Sequence, residues 1–552
     1  MKTGLAFKKS KIYVLACFLL LNSCIWNKNE ERKIRNEKIT QIVDQVKEVD
    51  TKFLVTNDFN LLFSKYDSGF FNIYSYNFGS NTKPVRRTKN TDNFNPILIK
   101  NEINSLSDKD GDQNFKLTVL PKDMYSLSYT FQWIYSSGTG NLQIFKLQQD
   151  NSLYFLNSET RVNSRITTIQ NKFHGFCFSK DETKILLSYD GILSYYDILT
   201  STEKILLSEP ENEKLNPYLY DNAAYFASNR QSNYFQIYTI SLNSQAGSAS
   251  QLVYRTNHDI RLPKRNGNYL YFIEILRSEY LLKRLDLRNG QIDILINQGV
   301  VYDYDFLGKN LIALTYSDFK TPRSMMCYNT TSKKLVNVSS NSLNLGLTSS
   351  FINDSGLCPT YIFNPSKDTE LKGVILFFHP GLNSDFSPRW DTLLMTLCKL
   401  GYIIVNPNYS MSSGYGKIHQ SRSFDQATIN MIDWSTKLKI EFPQLPLYYI
   451  SSSSGNILME NTLSSTSKSI SAAASLFGIS HGLTPPRDLP ILYILGKNDP
   501  AFDVAQRFRE LLLTNVEKND VVMFRNEGHW LRRKENTILV IDKIISFFEK
   551  RI

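Results

Sequence analysis

The sequence predicts two folded parts in series: an all-β propeller, then an α/β domain with a doubly wound, mostly parallel sheet. Three observations carry this expectation. From about residue 51 to 350 a loose unit recurs, in which a short apolar strand, polar turn residues and a strand with alternating aromatics follow one another. After residue 350, continuous apolar strands alternate with helical stretches for about 200 residues. The chain of 552 residues also exceeds the range of a single compact core, so two or more domains are expected.

Composition fits folded, β-rich architecture. Hydrophobic residues at 42% and charged residues at 21% are ordinary values, and the 31 Tyr and 34 Phe favour pleated surfaces. The net charge of +11 is spread along the chain with no basic block beyond the N-terminus, which argues against a nucleic-acid partner.

The first 24 residues form a unit of their own. Lys8, Lys9 and Lys11 precede the apolar run "IYVLACFLLL", and "LNSC" ends at Cys24. A short apolar run behind positive charge reads as a secretory signal, too short for a comfortable membrane span. Its ending resembles the lipobox of bacterial lipoproteins, in which the cysteine is lipidated and becomes the new N-terminus. Leu21 and Ser23 fit that pattern and Asn22 is a less usual occupant. The expectation is an exported lipoprotein, held through Cys24 on the periplasmic or cell-surface side of a membrane. The alternatives are an ordinary signal or an uncleaved anchor. Residues 25–50, charged at "NKNEERKIRNEK", read as a tether leading into a short helix.

Six cysteines stand at 17, 24, 177, 327, 358 and 398 with no C-x-x-C pair. That spacing gives neither a disulfide framework nor a zinc site. His174, His258, His419 and His481 show no ligand spacing either, so no metal and no cofactor is expected.

The propeller is expected over 51–350. Taking Ile73, Ile144, Leu193, Ile237, Leu282 and Met325 as equivalent gives spacings of 71, 49, 44, 45 and 43 residues. The last three match four-stranded propeller blades, and the long first spacing leaves room for a degenerate blade. The number of blades is left open. A pair of β-sandwiches with accidental spacing is the alternative.

The α/β domain is expected over 351–552. Strands are read at 373–381, 401–409, 446–451, 489–496 and 520–524, and helices at 387–400, 425–440, 504–513 and 537–552, with a further helical stretch after residue 451. Ligands of such sheets sit beyond the carboxyl ends of the strands. There "SSSSG" (451–455) follows a strand and precedes a helical run, the context of a G-x-S-x-G nucleophile elbow. A glycine two residues after the nucleophile selects Ser453 and puts Ser451 in the first small position, where serine is sterically worse than glycine. Asp499 follows the strand "ILYILG", and His529 follows "DVVMF" in a Gly-His turn. The order Ser453, Asp499, His529 is that of the α/β-hydrolases, with His529 as base and Asp499 as the group that orients it.

These segments together resemble the prolyl oligopeptidase family, which includes dipeptidyl and acylaminoacyl peptidases and carries a β-propeller before an α/β-hydrolase domain. The family signature N-Y-R-G-S-x-G-Y-G is visible as "NYSMSSGYG" (408–416), with Asn408, Tyr409, Ser412, Gly414, Tyr415 and Gly416 in place. The resemblance in sequence covers roughly 355–552. It implies a serine peptidase acting on short peptides, an oxyanion site built on the Ser454 N–H, and a place near that site for His379, whose side chain is a further candidate donor. Pro380 has no N–H to offer there.

The sequence departs from the family at several points. Ser410 and Met411 replace Arg and Gly of the signature, "HPGL" (379–382) replaces a Gly-Gly-Pro stretch, and Ser454 stands where relatives carry an aromatic. The interval from Ser453 to Asp499, 46 residues, is shorter than expected, whereas the 30 residues from Asp499 to His529 are ordinary. No Glu-Glu motif for a peptide N-terminus is evident in the propeller. An esterase on the same machinery and an inactive lipoprotein whose propeller binds a partner therefore stay open. Cleavage specificity and oligomeric state are not readable from the sequence.

Overall fold

The computed structural model describes residues 30–56, 60–67, 70–77, 83–88, 93–99, 102–107, 116–117, 131–147, 151–160, 162–245, 248–339, 343–353, 356–478, 489–499 and 520–550. Cys24, the signal segment, His481 and the helix expected over 504–513 lie outside them.

Antiparallel sheets follow one another along the first part of the chain. Four strands lie between Val49 and Arg86, three between Asn93 and Leu117, and four each over Phe131–Thr168, Phe173–Ser208 and Lys214–Tyr254. An eight-stranded sheet then splits into two four-stranded units, Asp259–Ile296 and Val300–Asn337, joined by the single parallel pair Tyr280 and Val300. Among the described residues that makes seven blades, and the sheet at 93–117 fills the long first interval of the repeat.

Alternation along each strand explains the ring. In Lys184–Tyr189, Ile185, Leu187 and Tyr189 pack towards the preceding sheet, where Ile144 and Phe155 lie. Leu186 packs the other way, against Leu219 and Phe226 of the next sheet. The four sheets over Phe173–Asn337 thus each contribute a face to two cores. The ring closes by the same device. Leu61, Phe63 and Tyr74 of the first blade pack on Leu307, Ala313, Met325 and Cys327 of the last. Among the described residues no strand is exchanged between the two blades. The Val49 N–H donates to Arg323 O at 2.8 Å and fastens the seam.

Five of the six repeat positions lie on the third strand of their sheets. Ile144 is the exception, on the second strand, Leu142–Leu147. Its strand and the next are both apolar and aromatic ("LQIFKL" and "SLYFLN"), so pattern alone does not separate them.

The second part is an eight-stranded sheet. Its order is Thr348–Ile352, Thr360–Asn364, Tyr402–Pro407, Gly373–Phe378, Leu447–Ser452, Ala472–Leu476, Ile491–Gly496 and Asp520–Phe524. The last six run parallel and the first two form an antiparallel edge. Six consecutive buried residues in "GVILFF" show why the strands read as continuous apolar runs: helices cover both faces. One face carries Thr392–Lys399 and Lys534–Glu549, the other Phe424–Glu441 and Gly455–Thr466.

One reading needs correction. The strand Ala472–Leu476 stands where no strand was expected, because "AAASL" lacks the branched and aromatic residues that mark strands. The strands preceding Ser453, Asp499 and His529 are consequently not consecutive, since this one lies between the first two. The short helix expected within 25–50 is present among the described residues. Residues 30–45 are helix, and Ile39 and Val43 are buried in the core of the α/β domain. Arg35 binds Asp542, Ser546 and Glu549 of the last helix, and Arg32 binds Asp542 at 2.7 Å.

Candidate active site

The strand Leu447–Ser452 is buried through Ser451, turns at Ser453, and the helix Gly455–Thr466 begins two residues later. Ser453 has φ of 52°, a left-handed conformation that residues with side chains seldom adopt. Its N–H donates to Leu476 O at 3.0 Å, which holds the turn. The unexpected strand is therefore part of the site's frame. Glycine is required at 455 because a Cβ there would collide with the carbonyl oxygens of Phe378 and His379.

Ser451 fits the first small position for a specific reason. Its side chain is fully buried, and its hydroxyl donates to Asn456 Oδ1 and lies 3.1 Å from Met459 Sδ. Asn456 in turn donates to Leu476 O at 3.1 Å. The hydroxyl that made serine sterically worse than glycine is thus turned inward and satisfied.

Ser453, His529 and Asp499 are brought together. Ser453 Oγ lies 2.8 Å from His529 Nε2, and His529 Nδ1 lies 2.9 and 2.8 Å from the two Asp499 oxygens. A carboxylate only accepts, so Nδ1 carries the proton and Nε2 offers its lone pair to the serine hydroxyl. The Asp499 side chain is wholly buried and that of His529 is 20% exposed, so the imidazole opens to the cleft while its anchor does not. Gly496 makes the approach of the two loops feasible, because a Cβ at that position would run into the Gly528 carbonyl.

The two oxyanion candidates part company. The Ser454 N–H, at the start of Gly455–Thr466, makes no hydrogen bond among the described residues, and the helix dipole adds positive potential there. His379 is committed elsewhere, contrary to the expectation. It is 1% exposed and stacks on Tyr409, with ring centroids 4.2 Å apart. Nδ1 donates to Pro380 O at 3.1 Å, and Nε2 accepts from Ser412 Oγ at 3.0 Å. Burial pulls its pKa down to about 4, so the ring is neutral and its one proton is taken. A backbone donor close by that the sequence reading did not single out is the Gly381 N–H, which donates to Ser454 Oγ at 2.8 Å. Its signal was the glycine itself, which holds φ of 69° on the loop after the strand Gly373–Phe378.

"NYSMSSGYG" forms the joint between the two domains. Asn408 Nδ2 donates to Phe386 O, Tyr415 OH and, across the joint, Ser278 Oγ, at 2.9, 3.0 and 3.3 Å. Gly416 N–H reaches Asp259, and Lys417 N–H donates to Asn233 O at 2.6 Å. Ser410, in place of the signature arginine, is internal and donates to Asn430 Oδ1 from both N and Oγ. Met411, in place of glycine, keeps the positive φ at 85°.

A cavity of about 650 Å³ lies between the first and last propeller blades, the segment after the N-terminal helix and the α/β domain. Ser452, Trp530 and Pro380 belong to its wall, so it adjoins the Ser453–His529 pair. Among the described residues no group of His, Cys, Asp and Glu is arranged to hold a metal, and no helix is long and apolar enough to cross a membrane.

No protein-family model matches the sequence, and no curated protein matches it. Solved structures do. A puromycin-hydrolyzing peptidase of Mycobacterium tuberculosis superposes with a TM-score of 0.74 at 13% identity, covering 93% of this chain and 96% of that one. A structure from a study of two prolyl endopeptidases gives 0.78 at 10% identity, with 94% and 91% covered. Oligopeptidase B of Trypanosoma brucei gives 0.75 at 10% identity, with 97% and 92% covered. The chain has the prolyl oligopeptidase fold. The propeller of that fold, resembled only in architecture at the level of sequence, is included in the match, since over nine-tenths of each chain superposes. At such identity the likeness is one of fold, and the chemistry of this prolyl oligopeptidase fold has to be argued from its own residues.

Proposed function

We propose that the chain is a serine peptidase that cleaves short peptides through Ser453, His529 and Asp499. The observation that carries the reading is the unbroken hydrogen-bonded series from Ser453 Oγ through His529 to buried Asp499. Ser453 Oγ attacks the scissile carbonyl as His529 Nε2 takes its proton, and Asp499 stabilises the imidazolium. The tetrahedral oxyanion is held by the Ser454 N–H and, once the Ser454 hydroxyl has rotated away, by the Gly381 N–H. The C–N bond then breaks, the amine leaves with the proton from His529, and an acyl-Ser453 ester remains. Water, deprotonated by His529, attacks that ester and releases the acid and the free serine.

Short peptides are favoured because the cavity beside the site, about 650 Å³, is bounded on one side by the first and last propeller blades. A fluorophosphonate probe is expected to label Ser453 in the intact protein and to leave Ser453→Ala unlabelled. Absence of label under conditions where a control hydrolase reacts sinks the reading. Comparing peptide amides with simple esters separates peptidase from esterase. We further propose that the protein is exported and anchored through a lipid on Cys24, to be checked by palmitate incorporation and its loss in Cys24→Ser.

A further inference from the structure

Arg389 stands out among the charged residues of the cavity. It sits between Phe386 and Trp390, on the loop that follows the strand Gly373–Phe378, and lines the same cavity as Ser452 and Trp530. Among the described residues its side chain makes no hydrogen bond and no ion pair, whereas the other cations there have partners. Arg323 donates to Val49 O and lies 3.6 Å from Glu48. Lys534 donates to Asp44 O at 3.0 Å, and Arg532 lies over the Trp530 ring at 5.1 Å.

Two of the nearby acids are engaged. Glu48 faces Arg323, and Asp391 caps a helix by accepting the Leu394 N–H at 2.9 Å. Asp385 accepts the Tyr280 hydroxyl at 2.7 Å through Oδ1, while its buried Oδ2 has no hydrogen-bond partner among the described residues. Burial works against the charge of Arg389, and the carboxylates of Asp385 and Asp391 favour it without a hydrogen bond or ion pair to it among the described residues. A guanidinium left without a partner in a partly desolvated cavity is an unfilled fork of donors, and its planar geometry matches a carboxylate.

We propose that Arg389 is an anion-binding subsite, and that the favoured substrates are peptides bearing a carboxylate, at their C-terminus or on an Asp or Glu side chain, which this guanidinium holds. The proposal rests on the peptidase reading, because the subsite adjoins Ser453 through the cavity wall.

Binding to the Ser453→Ala protein tests it without turnover. Calorimetric titration would use tetra-alanine with a free C-terminus, its C-terminal amide, and amidated peptides carrying an internal Asp or Asn. The expected result is that one or both carboxylate peptides bind about tenfold more tightly than their neutral partners. Whichever pair discriminates identifies the source of the carboxylate. Arg389→Gln is expected to abolish the difference while leaving the neutral peptides unchanged, and Arg389→Lys to keep part of it. Equal binding within both pairs, a difference that survives Arg389→Gln, equal weakening of charged and neutral peptides in that variant, or no binding of any of the four overturns the proposal. Equal weakening would instead mark Arg389 as a support for Asp385 at the domain joint. Failure of the peptidase reading would appear separately, as absence of probe labelling at Ser453 in the wild-type protein.

Discussion

Acidification should expose the cost of keeping His379 neutral. The ring is buried against Tyr409 with both nitrogens engaged, and its pKa falls from the ordinary 6.5 to about 4. An unfolded chain takes up a proton at this position near pH 6.5, whereas the folded one does so only near 4. Stability from this group is therefore fully present above about 6.5 and declines as pH falls towards 4. The interval corresponds to a loss of about 3 kcal/mol at 1.36 kcal/mol per unit. Urea denaturation at pH 7, 6, 5 and 4 of the wild type and of His379→Gln gives the measurement. The variant removes the titration, so the wild type should lose about 3 kcal/mol more than the variant between pH 7 and 4. Carboxylates such as Asp542 titrate in both proteins and cancel in the comparison. Parallel pH profiles would refute the assignment of a buried, neutral His379.

Ser454→Ala frees the Gly381 N–H of its internal partner, so peptide turnover should rise about fivefold, the worth of one hydrogen bond of about 1 kcal/mol. A fall in kcat would mean that the Ser454 hydroxyl is needed to hold the Gly381 loop. Asp499→Asn offers an amide in place of a pure acceptor and disfavours the Nδ1–H tautomer. Turnover is expected to drop by about three to four orders of magnitude, read by steady-state kinetics with thermal stability as control. Arg35→Ala removes one of two arginines from buried Asp542 and should cost about 2 kcal/mol. Limited proteolysis should then cut the N-terminal helix sooner than in the wild type.

What could be read from sequence was local, and what could not lay across the fold. The repeat between 51 and 350 was visible because alternation along a blade strand follows from packing between two neighbours. Its register failed at Ile144, where adjacent strands carry the same pattern. Ser453, Asp499 and His529 were legible because a strand-end turn advertises itself through glycine and small residues. The strand Ala472–Leu476 was hidden because its small residues leave room for neighbours instead of filling space themselves. The fate of His379 was hidden because its partners, Tyr409 and Ser412, come from 30 and 33 residues away. Likewise the inward hydroxyl of Ser451 depends on Asn456, whose side chain is aimed by the strand that the sequence did not reveal.

The helix at 30–45, docked on the last helix, makes the α/β domain discontinuous, with the whole propeller set into it as an insertion. Arg35 and Glu549 are 514 residues apart in sequence yet joined by a hydrogen bond. Were the intervening chain slack, tying its ends would carry the entropic cost of a very long loop. The closed propeller removes most of that length, because its first strand is fastened to Arg323 in the last blade. The polymer that remains free is a few short connectors, and closing about twenty residues instead of about five hundred saves about 3 kcal/mol. The ring thus acts on the domain behind it as a splint, converting a distant encounter of two termini into a nearly local one.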